Sequence, residues 1–399
     1  MAFSNTDIRY GGVTKTFHWL TALLILTLIP LGLYANDLPY QTDAELTRKA
    51  WFFSLHKTLG VTMFFVAVLR IAWALSQPKP GLLNGDKKLE SFLAETVHWL
   101  LYASLVIVPL AGWIAHAAAA GFAPIWWPLG QNLPLVPKST GVEHVFSAIH
   151  QVGTKVLAAS LLLHIAGALK HHFVDRDATL RRMLPGEPVI GPLPPEHKSK
   201  APVIAAVAIW AVALLLGGTF GSMGQEKQTQ QVDLAEVSSD WTVQEGNINI
   251  TVTQFGNEVT GSFANWTSAI SFDENAPGPD VGTVTTTIAI NSLELGSVTQ
   301  QALGADFFDA DTYETATYDG IIKRAVDGYE AVGTLTIKDQ SQPLTLPFNL
   351  SLNGGEAEMR ADLTLNRQDY GIGATVAEEA TLAFDVLVNI ALKATRSVD

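Results

Sequence analysis

The chain has 399 residues, of which 48% are hydrophobic and 16% charged; that balance leans toward a membrane and leaves room for two or three domains. The net charge of −13 is uneven, because residues 1–224 carry 17 Lys and Arg against 12 Asp and Glu while residues 225–399 carry 8 against 26. Two physically different halves are joined, and the absence of cysteine excludes disulfides, cysteine-held iron–sulfur clusters and covalently attached haem.

Five apolar runs are long enough to cross a bilayer, near 17–35, 51–75, 92–116, 145–170 and 202–221, since a span needs roughly 20 residues. The first has the length of a signal peptide, and "LGLYAND" offers a cleavage site, but four similar spans follow it. Lys and Arg set the orientation. Arg9 and Lys15 precede the first span, Arg70, Lys79, Lys87 and Lys88 close the second, and Lys170, Arg176, Arg181, Arg182, Lys198 and Lys200 follow the fourth. The opposite connections, 36–50 and 117–144, are poorer in them. The N-terminus and the stretch 176–200 are therefore expected in the cytoplasm. A fifth span then exits and leaves residues 225–399 outside, in the periplasm of a Gram-negative cell.

Nine of the ten histidines lie in the first four spans or at their edges, where an imidazole is costly and usually has a task. His150 and His164 are fourteen residues apart in the fourth span. On a helix that is about 1400°, some 40° short of four turns, with a rise of about 21 Å. They share a face, one near each leaflet. His18 opens the first span at the inner depth and can face His164; His56, early in the second, can face His150. Two bis-imidazole sites result, the ligation of a low-spin electron-transfer haem b. Gly60 and Gly153 lie close to His56 and His150 in sequence and leave room for a flat macrocycle. Arg70, fourteen residues from His56, shares its face and reaches the inner depth, either to bind a haem propionate or to snorkel to the headgroups.

These residues carry a resemblance. "FHWLTALLI" at 17–25, "LHKTLG" at 55–60, "VHWLLY" at 97–102, "VPLAGW" at 108–113, "IHQVGTKVLAASLLLHIAGALKHHF" and "DATLRRMLP" resemble the prokaryotic cytochrome b561 family, four-helix di-haem membrane proteins. The resemblance covers residues 10–185 and implies haem pairs His18 with His164 and His56 with His150. It implies quinone as a partner and admits superoxide as an outer electron donor. His171, seven residues beyond His164, matches a family histidine suited to proton handling at a quinone site; otherwise it is a cation at a helix C-terminus. His98 either bonds a propionate or quinone oxygen or is a surface-level imidazole. His116, His144 and His197 read as bland, and Trp126 and Trp127 as an interfacial belt.

"LPGEPVIGPLPPEHKSKAP" at 184–202 is a semi-rigid Pro-rich spacer, and "SMGQEKQTQQ" at 222–231 a polar tether. From Trp241 the hydrophobic period becomes two. Ile248, Ile250 and Val252 alternate with polar residues, as do Leu382, Phe384, Val386, Val388 and Ile390, with further runs at 283–290, 332–337, 344–352 and 359–365. Short strands at such spacing imply an antiparallel barrel, and a closed apolar barrel can hold an elongated lipid. "VTGSF" at 259–263, "GADFFDADTYETATY" at 304–318, "GTLTIKDQSQPLTLPF" at 333–348 and "LNRQDYGIG" at 365–373 resemble the YceI-like family, lipocalin-like barrels that bind polyisoprenoid chains. Two departures are "GNINI", in place of an early Asp-His-Ser pattern, and Glu314, where a Pro usually follows Tyr313. Asp306, Asp309 and Asp311 lack the Gly and distal Glu of a calcium loop, and the negative charge of this half argues against nucleic acid.

The expected molecule is multi-domain: an all-α transmembrane four-helix di-haem bundle (1–185), a linker and fifth transmembrane helix (186–224), and an all-β lipocalin-like antiparallel barrel (225–399). Its expected function is that of a quinone-linked oxidoreductase of the bacterial inner membrane, a respiratory-chain type of electron transport with two haem b and ubiquinone or another isoprenoid quinone. Ile250, Val252, Phe348 and Phe384 are the expected lining of the isoprenoid cavity. The alternative is a lipid-binding or shuttling protein whose cytochrome part is mainly a membrane anchor, although an anchor needs one span rather than five.

Overall fold

The computed structural model describes all residues except 1, 120, 127–129, 187, 192, 195–198, 229–233, 235–238, 327 and 397–399, and the side chains of 223–228. Trp127 and His197 lie outside the described residues. The chain divides into two compact units, one of Met1–Asp37, Trp51–Ala118 and Pro124–Gly224, the other of Leu38–Ala50, Ala119–Ala123 and Gln225–Asp399.

Among the described residues five helices are long and apolar enough to cross a membrane, all in the first unit except the first two turns of α2. They are α1 (Gly12–Asp37), α2 (Asp43–Leu75), α3 (Lys88–Ala118), α4 (Thr140–Lys170) and α5 (Ala201–Gln228). Helix α2 starts eight residues before its apolar run because Thr42 and Glu45 form a capping box. The Thr42 hydroxyl accepts from the Glu45 amide (3.3 Å), and the Glu45 carboxylate accepts from the Gln41 and Thr42 amides (3.1 and 3.3 Å); orphan donors of the first turn are thereby satisfied. Ser139 caps α4, which runs on into a π-helical turn, His171–Asp175, ended by Arg176 in the left-handed region (φ 54°). Helix α5 lies against α4 through Gly217 and Gly221. A Cβ on Gly217 would stand 2.9 Å from the Ile149 Cα, and one on Gly221 2.5 Å from the Val145 Cα. Small residues four apart let membrane helices approach this closely. Trp210, buried on α5, rests on Gly153.

In the second unit, ten antiparallel strands curl into a lipocalin-like barrel in the order β3-β4-β6-β7-β8-β9-β10-β1-β2-β5. They are β1 (Trp241–Gln254), β2 (Asn257–Phe263), β3 (Trp266–Phe272), β4 (Asp280–Ala289), β5 (Leu293–Glu294), β6 (Thr315–Ala325), β7 (Gly328–Ile337), β8 (Gln340–Asn353), β9 (Glu356–Asn366) and β10 (Leu382–Arg396). A short helix α6 (Thr299–Leu303) lies between β5 and β6. Apolar side chains alternate inward, as period-two strands require. Between β1 and β3 closure relies on local bonds: the Asp240 amide donates to the Ile270 carbonyl (3.0 Å), and the Trp241 indole donates to the Phe272 carbonyl (3.1 Å).

The turn after β9 is built on Arg367, which is 3% exposed. All five guanidinium N–H groups are placed: Nε donates to the Ala383 carbonyl, Nη1 to those of Ile372 and Gly373, and Nη2 to those of Val376 and Leu382, at 2.6–3.0 Å. Gly373 (φ 61°) takes a conformation open to glycine, and a Cβ there would stand 2.9 Å from the Phe307 ring.

Candidate functional site

Helix α4 carries His150 and His164, and a histidine from another helix faces each. The His56 and His150 ring centres are 6.4 Å apart, and those of His18 and His164 are 6.0 Å apart. A metal bound by two opposed imidazoles at ~2.0–2.1 Å separates the ring centres by roughly 6.3–6.5 Å; the His56–His150 separation falls in that range and the His18–His164 separation lies just below it. At the His56–His150 pair, His150 Nδ1 lies 2.9 Å from the Val108 carbonyl. Donation there fixes the tautomer and leaves Nε2 as the ligand atom. His56 Nδ1 is buried beside the Leu28 backbone without hydrogen-bond geometry to it. The donor set fits b-type haem at both positions.

The close glycines are not those nearest in sequence. A Cβ on Gly32 of α1 would stand 2.8 Å from the His56 ring, and one on Gly112 of α3 2.8 Å from the His150 ring. Gly153 meets Val108 and Trp210, and a Cβ on Gly60 would meet nothing within 4 Å. Sequence spacing along one helix could not find Gly32 and Gly112, because each sits on a different helix from the imidazole it adjoins.

At the His18–His164 pair a third imidazole joins. The His98 ring is 5.0 Å from that of His164, and His98 Nδ1 lies 2.7 Å from the Ala94 carbonyl. Arg70 is an electrostatic neighbour of His18, His98 and His164, and its guanidinium stands 5.3 Å over the Tyr102 ring. Beyond the end of α4, His171 Nδ1 lies 2.6 Å from Asp177 and 3.1 Å from Asp175. Burial pushes the Asp177 carboxyl up, but the Thr179 amide and hydroxyl and His171 outweigh it and hold the group below the usual carboxylate range. Glu90, His171 and Asp175 lie close enough to share a cation; the Lys170 ammonium meets both carboxylates at 2.8 Å. His116, bland in sequence, is buried with its ring nitrogens 3.1 and 3.2 Å from the Lys57 ammonium.

The barrel encloses an apolar cavity of about 260 Å³. Strand β1 lines it from Trp241 to Gln254, thirteen steps of ~3.3 Å along the strand, so the cavity is elongated. Ile250, Val252 and Phe348 line it; Phe384 does not. The β1–β10 register shifts between Val252 and Gln254, and this irregularity carries Phe384 under the Arg367 guanidinium, 5.4 Å from its ring centre. Tyr318 also lines the cavity, donating to the Ala331 carbonyl (2.7 Å). Burial pushes its hydroxyl up to about 12.

Five apolar helices with paired histidines, followed by an apolar-lined antiparallel barrel, define a multi-pass membrane protein with an appended lipocalin-like domain. Residues 9–186 match the family described as Prokaryotic cytochrome b561, and residues 241–394 match the YceI-like domain. The chain is 30% identical over 190 residues to Cytochrome b561 homolog 2 of Escherichia coli (strain K12), spanning 46% of this chain and 95% of that one. It is 24% identical over 178 residues to Probable superoxide oxidase CybB of Yersinia pestis, spanning 44% and 96%. The crystal structure of BcnA from Burkholderia cenocepacia matches with 27% identity and a TM-score of 0.35, over 38% of this chain and 96% of that one. The chain belongs to the prokaryotic cytochrome b561 family, with a YceI-like domain after the helices. That membership implies b-type haem and an inner-membrane setting.

Proposed function

We propose that the protein is a quinone-linked electron-transfer cytochrome of the inner membrane whose barrel holds an isoprenoid chain. The observation that carries the reading is α4 itself, with two histidines about four turns apart and a second imidazole facing each, ring centres 6.0 and 6.4 Å apart. Held by His56 with His150 and by His18 with His164, two haem b groups supply one-electron couples at two depths. The Val108 carbonyl orients His150, and Arg70 and His98 offer positive or donating groups to propionates at the inner pair. His171, hydrogen-bonded to Asp177, holds a proton at Nδ1 where a quinone oxygen takes one up.

The name of the Yersinia pestis relative supports superoxide as an outer donor. Two superoxide ions release two electrons and two molecules of O₂, and a quinone takes those electrons with two protons to become a quinol. The Lys and Arg distribution and the odd number of spans support a cytoplasmic N-terminus and a periplasmic barrel. The elongated apolar cavity supports a long prenyl tail as the barrel's ligand, with burial worth ~0.8 kcal/mol per CH₂. A reduced-minus-oxidised spectrum of the purified chain, with haem per chain measured, is the test. The reading expects a b-type signal and two haems; no signal leaves the lipid-binding reading with the helices as anchor.

A further inference from the structure

The two ends of the barrel cavity are closed by different means. At one end the strands close it themselves: Trp241, Phe272, Tyr329 and Phe348 pack together, with Phe272 and Tyr329 ring centres 5.3 Å apart and Tyr329 stacked on Phe348 at 5.9 Å. At the other, where β1 ends and β10 begins, the cavity is lined by Phe307, Tyr370, Ile372 and Leu382. These four share one cluster of buried apolar side chains with Leu46, which is fully buried. Leu46 lies in Leu38–Ala50, the connection after α1 together with the first two turns of α2, which belongs to the barrel unit.

Polar contacts hold the same stretch. The Asp43 carboxylate accepts from the Ala377 amide at 2.8 Å and from the Glu378 amide at 3.2 Å. The Thr375 hydroxyl donates to the Gln41 carbonyl, and Tyr40 packs against the Leu46 cluster. Gly121 and Phe122, in the other stretch of this unit between spanning helices, add to the contact. Phe122 packs on the barrel core, and a Cβ on Gly121 (φ 89°) would stand 2.5 Å from the Val259 methyl. A fully buried leucine and a carboxylate that accepts from two backbone amides, three residues apart on one helical turn, make a fitted surface.

We propose that this end of the barrel is a docking surface for the chain's own Leu38–Ala50 segment, and that the docked segment closes the cavity. An apolar chain enters or leaves when Asp43 and Leu46 let go. The proposal rests on the reading of the cavity as an isoprenoid site.

The chain has no cysteine, so Asp43→Cys with Ala377→Cys gives two unique thiols in the full-length protein. They are joined with a bis-maleimide or, as a control, blocked separately with N-ethylmaleimide. Each form is exposed to a benzophenone-tagged geranylgeranyl alcohol and irradiated, and labelled peptides are mapped by mass spectrometry. The joined form should show at least tenfold less label on barrel peptides than the blocked form, and the unsubstituted chain should lie between. Equal labelling of joined and blocked forms overturns the closure. Thiols that cannot be joined overturn the docking. Absence of barrel label from every form overturns the cavity reading, and the closure with it.

Discussion

At the scale of single residues, three side chains carry distinct expectations. Replacing His150 by Ala removes one of two imidazoles set 6.4 Å apart, while the other pair lies about four turns along α4, ~21 Å away. Haem per chain should fall from two to one, and an unchanged ratio would show the ligand set to be wrong. Arg367→Lys keeps a charge but cannot reproduce five donors in a planar fork, so several of its carbonyl partners lose their bonds inside the barrel. A loss on the order of 3 kcal/mol or more is expected, read as a lower midpoint in thermal unfolding. Burial pushes the Tyr318 hydroxyl up to about 12 in the fold, from about 10 in the unfolded chain. Its neutral form is the folded one, so its contribution is intact below pH 10 and lost as pH rises toward 12. The difference in stability between the wild type and Tyr318→Phe should shrink by roughly 2–3 kcal/mol across that window; a constant difference would sink the assignment. The approach of His18 to His164 and of His56 to His150 was legible because helical period and span order fix which residues share a depth. Gly32, Gly112 and Lys57 with His116 were not, since each contact joins helices whose relative rotation no single-helix period encodes.

At the scale of elements, the seat of α5 on α4 is the feature most open to test. Gly217→Leu or Gly221→Leu drives a side chain into the backbone of Ile149 or Val145, whereas Gly218 has nothing within 4 Å of a Cβ. Overpacking of this kind costs about 1–3 kcal/mol. The first two variants should melt earlier in detergent than Gly218→Leu, with Trp210 emission shifting as its packing on Gly153 is lost; three equal midpoints would mean that α5 does not depend on this contact. Strands β4, β7, β8, β9 and β10 were legible from strict alternation. β3, "WTSAISF", and β6, "TATYDGIIKRA", were not, because Thr, Ser and Gly between the apolar residues blur period two. The start of α2 was missed for a related reason: Thr42 and Glu45 begin the helix in a polar stretch that hydropathy alone assigns to a connection.

At the scale of the whole molecule, the proposed topology, with five spans among the described residues and a Lys and Arg bias, expects the C-terminus outside the cytoplasm. A C-terminal alkaline phosphatase fusion should be active and a cytoplasmic-type fluorescent fusion dark; the reverse would invert the topology. The two-part composition of the chain, basic and apolar before acidic and alternating, was plain in the sequence. The presence of Leu38–Ala50 in the barrel unit was not, because Asp43 and Ala377 are 334 residues apart and no local pattern links them. That separation has a consequence for biosynthesis. At about 5–20 residues per second, Asp43 leaves the ribosome roughly 17–67 s before Ala377. Such distant pairing makes for slow folding. The early segment therefore waits, its leucine uncovered, through the synthesis of nearly everything else, and the last strand made completes a pocket for a residue among the first.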